Sequence, residues 1–357
     1  MAYSTIVKPS DYFNTKLYSG SNGTQSVTGV GFQPDWSWLK CRSTAYHHRL
    51  FDAVRGAGKN LRSDTTNAEQ TIDEGITAFN SDGFSVKQGS DLVYNASGQT
   101  YVSWNWKANG AGSANTDGSI SSTVSANTTA GFSIVKWTGN GGTASVGHGL
   151  GVKPNIVIKK NLAASTNWIF STTIIDGSND FFYLNTTAAK GDSGETAPTA
   201  SLVNLYANSE NNGNGNGMIA YCFAEKKGYS KFGTYTANNS ADGPFVYTGF
   251  SPRFIIIKGT DNSGEYKSWC MFDTTRQPFN LNVGKTLYAN RDYEEGKRGQ
   301  GTASTTIPGI DILSNGFKLR MGNDEINTQT DSYIYMAFAE APLVANSGTN
   351  GVPATAR

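Results

Sequence analysis

Gly31–Lys40 reads GFQPDWSWLK, and two stretches of the same make follow it: GVKPNIVIKK at Gly151–Lys160 and GFSPRFIIIKG at Gly249–Gly259. Each opens with a glycine, places a proline (Pro34, Pro154, Pro252) ahead of an apolar run, and closes that run near a lysine. Apolar, β-branched runs between a proline and a turn read as central strands buried on both faces. Proline lacks an N–H, so each is expected at the first position of its strand.

Two further landmarks keep step. TYVSWNWKA (Thr100–Ala108), GMIAYCFAE (Gly217–Glu225) and SYIYMAFAE (Ser332–Glu340) align so that Trp106, Phe223 and Phe338 coincide. Two residues earlier stand Trp104, Tyr221 and Met336, so one face of the strand is apolar in every copy. YFNTKLYSGSNG from Tyr12, GFSIVKWTGNGG from Gly131 and YSKFGTYTANNS from Tyr229 each put aromatics before a Gly- and Asn-rich turn. The outer copies also share LFDAVRG with MFDTTRQ, and FNSDGFSV with ILSNGFKL, which makes Phe84 and Phe317 equivalent core residues after Asx-Gly turns. The middle copy keeps NWIFST but lacks the Asp–Arg pair and the Asn-Gly-Phe hairpin.

An internal repeat of this kind organises the chain. The expected fold is all-β, with three tandem β-sandwich units of jelly-roll or lectin-like type related by the repeat. Residues 1–11 form an N-terminal segment, 12–108 unit one, 109–130 a flexible Gly/Ser/Thr/Asn-rich linker, 131–226 unit two, 229–341 unit three and 342–357 a frayed tail. The short junction between units two and three makes those two a rigid pair.

Charge narrows the function classes. Among 357 residues, 29 Lys and Arg face 28 Asp and Glu, a net charge of +1, so the basic excess of a nucleic-acid binder is missing and no such partner is expected. No apolar run is long enough to span a bilayer, so no membrane insertion is expected. MAYSTIVKPSDYF has no basic stretch followed by an apolar one, which excludes a secretory signal and points to synthesis in a reducing cytoplasm. Cys41, Cys222 and Cys270 are odd in number and far apart, so neither a disulfide framework nor a zinc site is indicated, and no cofactor or metal is expected.

Several stretches invite chemistry. AYHHRLFD holds His47, His48 and Asp52, but neighbouring residues on a strand face opposite ways, so the histidines cannot share one ion. Asp52–Arg55 and Asp273–Arg276 share a D-x-x-R spacing, read as an ion pair bracing a turn. DGSND, DNSGE and GNDE resemble oxygen-rich calcium loops but lack the EF-hand pattern, and solvated Asx turns are the plainer reading. Asp292, Glu294 and Glu295 raise a glycosidase pair, yet they sit in a charged, Gly-bounded loop. Trp36 and Trp38 are the glycan-binding candidates, through stacking on a sugar ring, against a core role set by strand periodicity. Ile6 and Val7 are the anchoring candidates, adding a strand to a neighbouring protein.

With the repeats in view, SDYFNTKLYSGSNGTQSVTGVGFQPDWSWLKCRS, HRLFDAVRG, FNSDGFSV, TYVSWNWKA and VGHGLGVKPNIVIKK closely resemble a domain of marine tailed bacteriophages. In those phages it occurs singly or in tandem within tail-fibre and other virion structural proteins. The resemblance implies a non-enzymatic structural protein on the virion surface, either a capsid decoration or knob or a tail-fibre component, engaged in host attachment. It carries no catalytic residues over. Implied partners are other virion proteins and a host-surface glycan, with a trimer if the protein is fibre-like. The enzymatic alternative is a glycan-degrading depolymerase of the tail apparatus.

Overall fold

Pro34 and Pro154 stop two residues short of the strands Trp36–Cys41 and Ile156–Asn161. Pro252 lies inside the strand Phe250–Gly259, where the pairing register shifts on both sides of it. None takes the first strand position, which corrects the sequence reading. A residue without an N–H is tolerated where a bulge has already broken the ladder. The computed structural model describes residues 4–90, 92–261, 263–264, 266–278, 280, 285–297, 309–322, 325–328, 331–347 and 350–353.

The chain is all-β and sandwich-like, with 44% of residues in strands and 2% helical, which excludes a mixed fold. Three large antiparallel sheets carry it. The first orders Phe13–Ser19, Thr100–Trp106, Trp36–Cys41 and Arg49–Asp52. The second runs through Phe132–Thr138, Gly217–Phe223, Ile156–Asn161, Ile169–Thr172 and Asp180–Tyr183, with shorter strands at both edges. The third orders Ser230–Thr236, Ser332–Pro342, Phe250–Gly259, Cys270–Asp273 and Leu287–Tyr288. In the first sheet Trp106 pairs with Phe13 and Trp36; in the second Phe223 pairs with Phe132 and Ile156; in the third Phe338 pairs with Ser230 and Phe254.

Period-2 alternation sends successive side chains of these strands to opposite faces, and both faces are buried. Outer faces carry small sheets. Leu39 packs with Val27, Phe51 and Phe84 beneath the strands Thr24–Thr28, Gly83–Lys87 and Gly75–Asn80. Val135 and Val157 pack with Val146 and Val203 of the pair Ala144–Gly147 and Leu202–Leu205. Ile255 and Ile257 pack with Phe317 and Val246 beneath Phe245–Tyr247, Gly316–Leu319 and Ile310–Leu313. Phe84 and Phe317 each follow the glycine of a tight turn and are fully buried.

The inner faces meet one another. Phe13, Trp36, Trp104, Tyr221, Phe223, Phe254 and Phe338 belong to one buried cluster. At its middle Trp106, Phe223 and Phe338 form a triangle with centroids 6.4, 5.6 and 5.9 Å apart, every pair edge to face. That is the geometry a ring quadrupole favours. The indole N–H groups of Trp36 and Trp106 have no hydrogen-bond partner among the described residues, so these two rings are held by packing alone.

Three expectations fall here. Residues 109–130 are not a flexible linker: Ser113–Asn115 and Ser122–Asn127 pair into the second sheet, and Val124 is buried on Val135. Small polar residues suit such an edge, and one valine suffices to fix its face. The tail from 342 is not wholly frayed, because Pro342 ends a strand and Val344–Ser347 pairs with Asn350–Pro353. Ile6 is 2% exposed within the central cluster and is unavailable as an anchor, whereas Val7 is 49% exposed. Ser4 ties the same segment down, its hydroxyl donating to the Ile6 and Lys227 carbonyls at 2.7 and 3.3 Å.

Phe223→Ala should therefore cost about 3–5 kcal/mol in denaturant unfolding and Ile6→Ala about 2–5 kcal/mol, while Val7→Ala stays within about 0.5 kcal/mol. A loss below about 1 kcal/mol for Phe223→Ala would remove the triangle from the centre of the fold.

Candidate functional site

The side chains that look reactive in the sequence converge on the seams between the large sheets. Arg55 Nε pairs with Asp52 Oδ2, its backbone N–H donates to Asp52 Oδ1 at 2.8 Å, and its Nη2 donates to the Leu50 carbonyl at 3.1 Å. Arg276 repeats all three contacts with Asp273 and Met271. The D-x-x-R spacing is thus a buried brace. Each carboxylate also takes a donor from another sheet: Tyr221 Oη reaches Asp52 Oδ2 at 2.7 Å, and Trp104 Nε1 reaches Asp273 Oδ2 at 3.0 Å.

The missing middle pair now has a physical reason. Asp52, Thr172 and Asp273 pair with Trp36, Ile156 and Phe254, the cross-strand neighbours of Trp106, Phe223 and Phe338. Trp104 and Tyr221 supply donors, but Met336 has none to give. A buried carboxylate facing no donor is costly, and threonine stands where the aspartate would be.

His48, Trp168 and Trp269 immediately precede the strands Arg49–Asp52, Ile169–Thr172 and Cys270–Asp273. Trp168 Nε1 donates to the Arg62 carbonyl at 2.7 Å, and Trp269 Nε1 to the Tyr183 carbonyl at 3.2 Å. His48 Nε2 lies 2.8 Å from the Tyr288 carbonyl, while its Nδ1 accepts from Trp38 Nε1 at 2.7 Å. That fixes the neutral tautomer with the proton on Nε2, and burial pushes the pKa down to about 3. His47 turns the other way, to Asp64 at 2.7 Å. No cluster of three or more metal-ligating groups occurs among the described residues.

The lysines closing the three runs form a third set, which sequence reasoning passed over. Lys40 Nζ donates to the Cys41 carbonyl at 2.7 Å. Lys160 Nζ donates to the carbonyls of Thr66, Ala164 and Thr166 at 3.1, 3.3 and 2.9 Å. Lys258 Nζ donates to those of Thr187 and Gly259 at 3.3 and 3.1 Å. Burial pushes their pKa values down to about 8, 8 and 7 respectively. The signal was present: Lys40 shares the strand phase of the inward-facing Trp36 and Trp38.

Other candidates are engaged or elsewhere. Glu295 takes Arg42 through both oxygens at 2.6 and 2.9 Å and lies 3.5 Å from Arg276, while Glu294 pairs with Lys297 at 2.8 Å. Trp36 and Trp38 are 1% exposed, and Trp36 stacks on Tyr221 at 4.4 Å. They cannot meet a sugar, because the inner faces on which they sit are covered by the other sheets. In DGSND, Ser178 N and Oγ donate to Asp176, an Asx turn, and Asp180 pairs with Lys190 at 2.7 Å. DNSGE and GNDE extend onto residues outside those described.

Open concavities lie on the surface. One of about 230 Å³ is walled by Phe181, Tyr183 and Tyr206 with Asp192, Glu210 and Asn211. Phe181 and Tyr183 flank the buried Phe182, so two aromatics share the outward face of one strand and contact each other edge to face at 5.4 Å. A second, of about 440 Å³, lies where Lys231, Tyr247 and Leu343 meet.

Residues 8–342 match the family described as a domain of unknown function, DUF7483. The chain belongs to this family. No curated protein and no solved structure matches it. The DUF7483 match takes in all three large sheets, their seams, the smaller concavity and most of the larger one.

Two outcomes follow from the seams. Tyr221→Phe keeps the ring but removes the Asp52 donor, and should cost about 1–3 kcal/mol in denaturant unfolding; no loss would mean that the contact is incidental. Lys40, Lys160 and Lys258 have folded pKa values below the ordinary 10.5, so the unfolded chain binds more protons across the window from about 7 to 10.5, and stability rises with pH there. Above about 10 the buried Tyr18, Tyr221 and Tyr229, all raised by burial, reverse the trend because the unfolded chain loses its protons first. Melting temperature should climb through this window, and Lys258→Met should flatten the climb. A parent whose melting temperature falls from about pH 7 to 9.5 contradicts this reading.

Proposed function

We propose that this chain is a non-enzymatic structural and binding protein on the exterior of a tailed-phage particle, as a capsid decoration, knob or tail-fibre component. Three copies of one β-sandwich unit, fused about a common axis, make it up. The repeated strand registers and the meeting of Trp106, Phe223 and Phe338 favour the repeat. Three units about an axis within one chain give the arrangement that a fibre-like trimer of single units would give.

The observation that carries the non-enzymatic reading is the engagement of the reactive-looking carboxylates at the seams. Asp52 and Asp273 are fully paired inside the seams, and Glu295 is held bidentate by Arg42. A general acid or nucleophile needs reach to a substrate, and these side chains spend their lone pairs on neighbours. A polar surface of near-zero net charge suits contact with other virion proteins and with a host-surface glycan rather than with DNA.

Purified protein incubated with host-surface polysaccharide should release no reducing ends, and antibody raised against it should decorate intact particles in electron micrographs. Reducing ends that accumulate with time would restore the depolymerase, and unlabelled intact particles would remove the exterior placement.

A further inference from the structure

We propose that the concavity walled by Phe181, Tyr183 and Tyr206 is a binding site for a single neutral pyranose ring, the terminal sugar of a surface glycan. The inference deepens the glycan-partner reading above and rests on it for the biological setting alone; the chemistry stands on the site.

Size comes first. Sites for drug-sized ligands run from about 300 to 1,000 Å³, and this one, at about 230 Å³, is scaled to one ring. Its aromatic walls come from two directions. Phe181 and Tyr183 lie on the strand Asp180–Tyr183, while Tyr206 follows the strand Leu202–Leu205 and is 45% exposed. Flat π-faces suit the C–H-bearing face of a pyranose, and rings from two directions suit a sugar held edge-on or between them.

The walls are held in place by glycine. A Cβ at Gly194 would stand 2.9 Å from the Tyr206 ring, and one at Gly191 would stand 2.6 Å from the Phe181 ring. Each aromatic therefore lies directly against backbone, which fixes its plane before a ligand arrives and lowers the ordering cost of binding.

Polar groups complete the site. Asn211 lines the concavity with its amide held in place, the Nδ2 donating to Asn208 Oδ1 at 3.1 Å. Glu210 adds a carboxylate whose Oε1 already takes Asn167 Nδ2 at 2.9 Å, so its orientation is set. Asp192 stands at the rim, 3.2 Å from Lys190. Glu210 and Asp192 are both acceptors and both anionic, and the nearby cation Lys190 is shared with Asp180. The site therefore takes uncharged hydroxyl-rich rings and discriminates against uronic acids.

The test uses the full chain and ligand-observed saturation-transfer NMR with the methyl glycosides of glucose, galactose, mannose and N-acetylglucosamine, and methyl glucuronide as the anionic comparator. At least one neutral glycoside should bind in the millimolar range and more tightly than the glucuronide. Tyr206→Ala, at an exposed position, should weaken it by about tenfold with an unchanged melting temperature, and Tyr247→Ala in the larger concavity should leave it unchanged. Asn211→Asp, which keeps the shape but adds charge, should widen discrimination against the glucuronide. Silence across the neutral panel would overturn the proposal, as would binding that survives Tyr206→Ala or is lost in Tyr247→Ala. The readout is independent of particle labelling, so a labelled virion with a silent panel would sink the site and spare the exterior placement.

Discussion

Contact among Trp106, Phe223 and Phe338 governs the rest of this molecule. Each ring comes from a strand in the interior of its sheet, paired on both sides, so no ring can move without carrying a whole sheet. Three sheets whose inner faces close on one triangle bury those faces completely. Water is then excluded from the polar groups near the axis, and apart from the indole N–H groups of Trp36 and Trp106 those described above find their partners within the protein.

The seams are the answer to that demand, and they run in one rotational sense. The first sheet gives Trp104 and His48 to the third, the second gives Tyr221 and Trp168 to the first, and the third gives Trp269 and Lys258 to the second. Lys160 of the second also reaches Thr66 beside the first. Charge in the seams is balanced where Asp52 and Asp273 hold Arg55 and Arg276, and suppressed elsewhere: His48 is held neutral, and the lysines are pushed toward neutrality by burial.

Much of this was legible. Alternation in SWNW, AYCF and YMAF announced strands with a buried face, the Asx-Gly turns placed Phe84 and Phe317, and the D-x-x-R spacing announced its own brace. Alternation states that a face is buried and is silent about what buries it, so the aligned aromatics read as three separate cores when they are one. His48 defeated alignment because what its position shares with Trp168 and Trp269 is a ring N–H, a chemical property that letter-by-letter similarity misses. Ser113–Asn127 read as a linker because an edge strand needs only Val124 to register its face. The concavity at Tyr206 was hidden for the opposite reason: Phe181 and Tyr183 sit in DFFYLN, where two outward rings look like more core around Phe182.

The distance along the chain between the members of the triangle has a consequence for biogenesis. Trp106 leaves the ribosome long before Phe338, and the side of the first sheet where Trp104 and Trp106 meet Phe254 and Phe338 has no cover until the third sheet is made. At about 5–20 residues per second, that face stands bare for on the order of ten seconds or more. Nascent chains on one message would carry identical sticky faces side by side. Completion of the fold is consequently a late event, because the central cluster cannot close until the strand that carries Phe338 has been made.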